Sequence, residues 1–128
     1  MKRKSRILLL DDDVFHRGLL AEGLEDYYDF EVRKVDSLAA AKEKIGEFQP
    51  DLLLLDVVAG DDRLEVIEWV KQLRAAPRPV ITPVLFVTAY YKDMKERVSG
   101  LENTAILPKP FKFEEVTQEI RKLLGRGR

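Results

Sequence analysis

Three consecutive aspartates near the start of the chain, Asp11, Asp12 and Asp13, follow directly on an aliphatic run at residues 7–10. An uninterrupted apolar run of this length is typical of a strand that is buried on both faces of a parallel sheet. Adjacent carboxylates repel one another, so a fold that gathers them usually supplies a compensating cation. Ligands in open α/β sheets bind at the carboxyl ends of the strands. The junction therefore predicts a buried strand that ends at a ligand site.

Two further apolar runs also end in a polar side chain. Residues 52–55 are four leucines that lead into Asp56, and residues 84–87 lead into Thr88. If these runs are neighbouring parallel strands, their carboxyl ends meet at one edge of the sheet. We therefore expect these polar side chains to lie close to the aspartates that follow the first run.

The rest of the chain alternates between short apolar runs and longer amphipathic stretches. We predict strands at 7–10, 31–35, 52–55, 84–87 and 104–107, and helices at 14–27, 38–48, around 66–73, at 92–100 and at 113–124. Five repeats of a strand followed by a helix predict an α/β fold, with a parallel sheet covered by helices on both faces. The polar residues within 31–35 are typical of an edge strand.

Single residues in the predicted helices carry expectations of their own. Asp13 and Ser37 suit the N-cap positions of the first two helices. Tyr27 continues the apolar face of the first helix, and Trp69 is expected to pack in the core. His16, the only histidine, is expected to face solvent rather than to act in catalysis.

Length and composition limit the possible classes of protein. The chain of 128 residues is expected to form one domain, with 45% hydrophobic and 35% charged residues and a net charge of −1. This charge gives no overall field that would attract nucleic acid. The absence of cysteine excludes disulfides, a thiolate nucleophile and Cys-ligated metals. No apolar run approaches the roughly 20 residues that span a bilayer, and the basic start is not a signal peptide. A cytoplasmic protein is the default expectation.

The polar residues at the predicted sheet edge suit phosphoryl chemistry. Carboxylates such as Asp11, Asp12 and Asp56 supply the oxygen ligands that Mg²⁺ or Mn²⁺ prefers. A carboxylate beside such a cation can act as a nucleophile and become an aspartyl phosphate. Thr88 could then donate a hydrogen bond to one phosphoryl oxygen, and Lys109 could neutralise another.

Lys109 lies between Pro108 and Pro110, which restrict the backbone on both sides, and the Lys109–Pro110 bond is a candidate for the cis form.

Each of the signals at the predicted sheet edge also has an ordinary interpretation. Acids at strand ends are often loop residues or N-caps, and lysines are mostly surface residues. The combination of the signals carries the interpretation.

The order and spacing of four motifs resemble those of receiver domains of two-component response regulators. The motifs are Leu10-Asp11-Asp12, Leu55-Asp56-Val57, Val87-Thr88-Ala89 and Leu107-Pro108-Lys109-Pro110-Phe111. The resemblance extends from Arg6 to Leu124, the core of a single domain over 1–128. It implies a flavodoxin-like, doubly wound (βα)5 fold whose five-stranded parallel sheet has the order 2-1-3-4-5, for which the chemotaxis receiver is itself the standard example.

The resemblance also implies roles for the site residues. Asp56 would be phosphorylated, and Thr88 and Lys109 would contact the phosphoryl group. The implied Mg²⁺ ligands are Asp12, Asp56 and the backbone carbonyl of Val58, with Asp11 acting through water.

The implied partners are those of a signalling domain. A sensor histidine kinase or a phosphotransfer protein would donate the phosphoryl group, and a downstream effector protein or an output domain would respond to it. Direct binding of nucleic acid or a membrane by this domain is not expected. The domain would not be an enzyme beyond its own phosphotransfer and a slow autodephosphorylation.

Three features depart from the usual receiver pattern. The segment 57–64 lacks the common Met-Pro pair, has Arg63 where glycine is usual, and is one residue short. Ile106 occupies a position that is often Tyr or Phe. No output domain follows before Arg128, so a stand-alone receiver is expected, with a piece of a longer chain as the alternative.

Two other classes of protein are alternatives, and a third is excluded. A pseudo-receiver would only bind proteins, but it would not need the full acidic, hydroxyl and lysine set. A haloacid-dehalogenase-type phosphatase would need a second acid where Val58 stands. A P-loop or dinucleotide fold would need a glycine-rich turn after the first strand, where the aspartates lie.

The lifetime of the phosphorylated state depends on residues that position water. In receivers, the side chains two residues after the acceptor and two after the threonine reach this water, and here they are Val58 and Tyr90. Neither offers a carboxylate or an amide that would orient water for attack. Slow autodephosphorylation is therefore expected, whether Tyr90 shields the phosphoryl group or faces solvent.

Overall fold

Strands and helices alternate along the parts of the chain that the computed structural model describes, residues 4–57 and 63–126. The strands are β1 (Ser5–Leu10), β2 (Phe30–Val35), β3 (Leu52–Val57), β4 (Val84–Thr88) and β5 (Thr104–Pro108). The helices are α1 (Val14–Tyr27), α2 (Leu38–Phe48), α3 (Arg63–Ala75), α4 (Tyr91–Val98) and α5 (Phe113–Arg126). All ten predicted elements are present, with ends that differ from the prediction by a few residues. Across these ranges, no helix has the length and apolar character needed to cross a membrane.

The five strands form one parallel sheet in the order β2-β1-β3-β4-β5. This is the flavodoxin-like, doubly wound order, so the predicted fold class is confirmed. In the register of the sheet, Leu10 pairs with Leu55 and Val57 pairs with Thr88. Thr88 in turn pairs with Pro108 on β5. The register therefore brings the ends of β1, β3, β4 and β5 to one edge of the sheet.

Helices cover both faces of the sheet, which explains why the central strands are apolar throughout. Every residue of β3 and β4 is buried, as are the last four residues of β1. Helices α1 and α5 pack on one face, and α2, α3 and α4 pack on the other. By contrast, β2 is at the edge, and within it only Phe30 and Val35 are fully buried. Its polar residues were the sequence signal for this edge position.

The predicted N-caps are confirmed. The Asp13 side chain accepts hydrogen bonds from the backbone N–H groups of Phe15 and His16, both at 3.0 Å. These bonds, chiefly the one from His16, lower the pKa of the Asp13 carboxyl. The Ser37 hydroxyl accepts from Ala40 N–H at 3.1 Å and caps α2.

The predicted burial is confirmed for Trp69 and wrong for Tyr27. Trp69 is buried in the core between α3 and the sheet. Tyr27 is 80% exposed, because α1 ends at this residue and the chain turns away. The next residue, Tyr28, packs instead, with its ring 6.0 Å from Phe30 and 5.9 Å from Phe113 between centroids.

The side chain of one arginine links the segments that lead into β4 and β5, at the amino ends of these strands. The Arg74 guanidinium donates to the carbonyl oxygens of Val80 at 2.7 Å, Thr82 at 2.8 Å and Glu102 at 2.9 Å. These carbonyls belong to the segments that lead into β4 and β5. Arg74 therefore holds together the segments that precede β4 and β5, the strands that lead to Thr88 and Lys109.

Candidate functional site

The polar residues that sequence analysis selected lie together at the carboxyl edge of the sheet. Asp11, Asp56 and Thr88 are buried, with exposed fractions of 1%, 4% and 0%. Asp12 is exposed, and Lys109 is half-buried. Asp56 and Thr88 lie within the last two residues of the buried strands β3 and β4, and Asp11 directly follows β1, so the sheet itself buries these three residues.

Three carboxylates form a group that fits a divalent cation. Asp11, Asp12 and Asp56 each offer an oxygen, and these oxygens lie within 4.8 Å of one another. Carboxylate oxygens are hard ligands of the kind that Mg²⁺ prefers, and Mg²⁺ usually retains several waters. One ion can therefore be served by all three side chains, directly or through a bound water.

Lys109 forms an ion pair with Asp56, with 2.9 Å between Nζ and Oδ1. Burial raises the pKa of the Asp56 carboxyl to about 6, and the nearby Asp11 carboxyl adds to this effect. The Lys109 ammonium opposes the shift but does not cancel it. The ionised form of Asp56 is therefore destabilised in the protein alone, and a second cation at the acidic group would stabilise it.

Thr88 is connected to the residues on either side of the site. Its Oγ1 accepts a hydrogen bond from Tyr90 N–H at 2.8 Å, and its carbonyl accepts from Lys109 N–H at 2.8 Å. A hydroxyl that accepts in this way keeps its own hydrogen for another acceptor. The Lys109–Pro110 peptide bond is cis, as predicted.

His16 is the site residue that sequence analysis missed. The expectation that it faces solvent was wrong, because Nδ1 of its half-buried ring forms a hydrogen bond with Oδ2 of Asp11. The sequence offered only its closeness to Asp11 along the chain, which does not by itself predict the contact. With Asp13 as the N-cap, His16 lies in the first turn of α1, beside the end of β1.

Several expectations concern residues 58–62, which lie outside the described residues. They include the Val58 carbonyl as a metal ligand and most of the unusual segment after Asp56.

Ile106 and Tyr90 are described, and both are half-buried and pack against the core on the α2–α4 side. The Tyr90 ring therefore lies against the protein core rather than entirely in solvent.

A cleft of about 650 Å³ opens beside Lys109. Its lining includes Phe15, His16 and Leu19 from α1 and Phe111 from the connection after β5. Phe15 is 74% exposed and Leu19 is 54% exposed, and both lie in the lining of this one cleft. An exposed apolar surface thus adjoins the acidic site.

Residues 7–121 match the family model of the response regulator receiver domain. This chain belongs to that family. The general role of its members is to accept a phosphoryl group in two-component signalling.

Curated relatives include the response regulator MprA of Mycobacterium leprae, which is 37% identical over 123 residues that cover 94% of this chain and 51% of the relative. The transcriptional regulatory protein TrcR of Mycobacterium tuberculosis is 37% identical over 127 residues, covering 95% and 46%. The chain thus spans about half the length of these relatives.

Solved structures have the same fold. A putative response regulator from Chloroflexus aurantiacus is 26% identical with a TM-score of 0.78, over 95% of this chain and 98% of that one. A receiver domain of a Francisella response regulator superposes with a TM-score of 0.81 at 17% identity, over 98% and 100% of the two chains. The second likeness shows the fold alone.

The raised pKa of Asp56 predicts how stability depends on pH. The folded protein holds the Asp56 proton more tightly than the unfolded chain does, so ionising this group costs stability as the pH rises from about 4 through about 6. In the absence of divalent cations, we expect Asp56→Asn to raise the free energy of unfolding at pH 7.5 by about 1–3 kcal/mol. At pH 4 the two proteins should be nearly equal.

Urea unfolding in EDTA at both pH values measures this difference. Glu43→Gln, a charge removal on the exposed side of α2, is the matched control and should show no such growth with pH. A difference between Asp56→Asn and wild type that is the same at pH 4 and pH 7.5 would contradict the cause given for the shift.

Proposed function

We propose that Asp56 is the phosphoryl acceptor of this receiver, with Thr88 and Lys109 as the groups that contact the phosphoryl oxygens. The observation that carries the proposal is the Asp56–Lys109 ion pair of 2.9 Å, beside two further carboxylates and a buried hydroxyl at one sheet edge. An acid with this environment is both a nucleophile and a neighbour of cationic groups, as phosphoryl transfer requires.

The chemistry of the transfer follows from these groups. A carboxylate oxygen of Asp56 attacks phosphorus in line with the bond from phosphorus to the donor histidine nitrogen. That bond breaks, and its electron pair goes to the imidazole, which takes up a proton. Lys109 leaves the Asp56 oxygen and pairs with a phosphoryl oxygen, and the Thr88 hydroxyl donates to another. Charge on the transferred group is thus stabilised by residues already in position.

Mg²⁺ is the proposed cofactor. Asp12 and Asp56 would hold it directly and Asp11 through water, with the Val58 carbonyl as a further ligand. When bound, the ion would neutralise part of the charge that accumulates on the phosphoryl oxygens. The support for this set is the 4.8 Å grouping of the three carboxylates and their preference as hard ligands.

The proposed donor is a sensor histidine kinase or a phosphotransfer protein. Phe15 and Leu19 line the cleft that also contains Lys109, so an apolar surface is continuous with the reactive site. Exposed apolar patches commonly mark protein interfaces. A donor that packs on this surface would bring its histidine to Asp56. A cytoplasmic location and a downstream effector or output domain complete the proposal.

The proposed function is favoured over the two alternative classes, a pseudo-receiver and an aspartate-dependent phosphatase. A pseudo-receiver that only binds proteins would have no need for an ion pair between a buried acid and a lysine. A phosphatase with an aspartate nucleophile would act on other molecules, whereas the proposed activity ends with this domain's own phosphorylation and slow self-hydrolysis.

The first test of the proposal is direct phosphorylation. Incubation with acetyl phosphate and Mg²⁺ should add one phosphoryl group, located by intact mass and peptide mapping to Asp56. Asp56→Asn should lose this gain because it lacks the nucleophile, and EDTA should suppress it in wild type. Asp93→Asn, which removes an exposed acid from α4, should behave as wild type. A full gain in the Asp56→Asn variant would show that the acceptor is another residue.

The second test concerns the donor surface. Phe15→Ala should slow transfer from a phosphorylated histidine kinase by about tenfold, because a large apolar contact is lost. Transfer from acetyl phosphate should be unchanged, since a small donor does not use that surface. Tyr27→Ala is the control, because Tyr27 is equally exposed but lies at the other end of α1. Equal slowing with both donors would refute a docking role for Phe15.

The third test concerns the lifetime of the phosphorylated state. Val58 and Tyr90 supply no group that orients water, so phospho-Asp56 should decay slowly and Val58→Asn with Tyr90→Glu should speed decay severalfold. Tyr91→Glu is the matched control, since it changes the adjacent tyrosine. Decay is followed by intact mass after removal of the donor. Decay rates that stay equal in all three proteins would exclude water positioning as the limiting factor.

A further inference from the structure

The contact between His16 and Asp11 links the first helix to the acidic group. The Asp11 carboxylate is 1% exposed, and its Oδ2 is hydrogen-bonded to His16 Nδ1. In the ionised form that binds a metal, the carboxylate can only accept hydrogen bonds, so Nδ1 of the imidazole is then the donor. His16 is therefore a donor to a side chain of the proposed metal centre.

The second oxygen of Asp11 is also held. Asp13 N–H donates to Asp11 Oδ1 at 2.9 Å. With one donor on each oxygen, the plane of the carboxylate is fixed from both ends. The lone pairs that remain are thereby given a defined direction, which a freely rotating aspartate would not have.

His16 is itself held both at its backbone and at its ring. Its backbone N–H donates to the N-cap Asp13 at 3.0 Å, which fixes the residue in the first turn of α1. The Phe111 ring lies against the imidazole, with 5.6 Å between centroids and an angle of 54° between planes. Phe111 follows the Lys109–Pro110 bond, so the motif that supplies the lysine also supports the histidine.

His16 does not belong to the group of candidate metal ligands. Within residues 4–57 and 63–126, that group consists of Asp11, Asp12 and Asp56. The contact that connects His16 to this group is its hydrogen bond to Asp11. Partners that hold a ligating carboxylate from outside typically change metal affinity by about 10–100-fold when they are removed.

We propose that His16 is a positioning residue of the Mg²⁺ centre, which fixes the Asp11 carboxylate in the orientation that receives the ion or its bound water. The inference rests on the proposed function, because it requires Mg²⁺ to bind at this acidic group. It adds a residue that sequence motifs do not mark and that acts through the hydrogen bond from Nδ1.

The test compares variants that keep or lose that hydrogen bond. His16→Leu removes the donor, and we expect the Kd for Mg²⁺ to rise by about tenfold or more. His16→Asn places an amide N–H near the position of Nδ1 and should restore most of the affinity. His16→Gln places its amide farther out and should not. Kd is measured by titrating the free protein with MgCl₂ and following backbone amide signals.

Two controls separate positioning from a general effect on the helix. Val14→Leu changes an exposed residue in the same turn of α1 and should leave the Kd unchanged. In an Asp11→Asn background, His16→Leu should have no further effect, because the carboxylate through which it acts is gone. An independent loss in that background would overturn the proposal.

Failure of this inference differs from failure of the proposed function. If wild type shows no Mg²⁺ binding that Asp12→Ala weakens, the metal centre itself is wrong. If that binding is present but His16→Leu leaves the Kd unchanged or lowers it, the positioning role is wrong. A loss in His16→Leu that His16→Asn does not recover would likewise exclude the Nδ1 hydrogen bond as the cause.

Discussion

Keeping an ionised carboxylate at the buried edge of the sheet is the physical problem around which this site is arranged. Asp56 lies in β3, a strand covered on both faces, so its side chain has little access to water. Desolvation alone would favour the protonated acid, which is a poor nucleophile. Lys109 at 2.9 Å supplies one compensating charge. The remaining imbalance makes the acidic group a natural place for a second, exchangeable cation.

The parallel sheet solves the positioning part of this problem through its register. Leu10 pairs with Leu55, so Asp11, directly after β1, lies beside Asp56 of the adjacent strand β3. The backbone N–H of Lys109 is bonded to the carbonyl of Thr88, so the lysine cannot shift along β5 independently of β4. Arg74 fixes the opposite ends of the same two strands. Main-chain hydrogen bonds thus set the spacing of side chains that belong to distant parts of the sequence.

Apolar runs and the residues that follow them were sufficient to predict the parallel sheet and the acidic group, whereas the strand order was implied by the resemblance to receiver domains. Sequence patterns were insufficient for His16, since a histidine in a first helical turn has the same local pattern whether it faces solvent or an acid. The deciding contact with Asp11 depends on the angle between α1 and β1. The prediction that Tyr27 packs on the buried face of α1 was wrong for a related reason. Its spacing suited the buried face, but the helix ends there, and Tyr28 packs instead.

The connection from the site to the rest of the protein begins at Thr88. Its hydroxyl is bonded to the N–H of Tyr90, and the carbonyl of Tyr90 accepts from Met94 N–H at 3.0 Å in the first turn of α4. Met94 and Ile106 belong to the same packed face, so the start of α4 and the side of β5 are in contact through one core. At this position an aliphatic residue, Ile106, rather than an aromatic one packs against the core. If Asp56 is phosphorylated as we propose, movement of the Thr88 hydroxyl toward the phosphoryl group would act on α4 through the Tyr90 backbone.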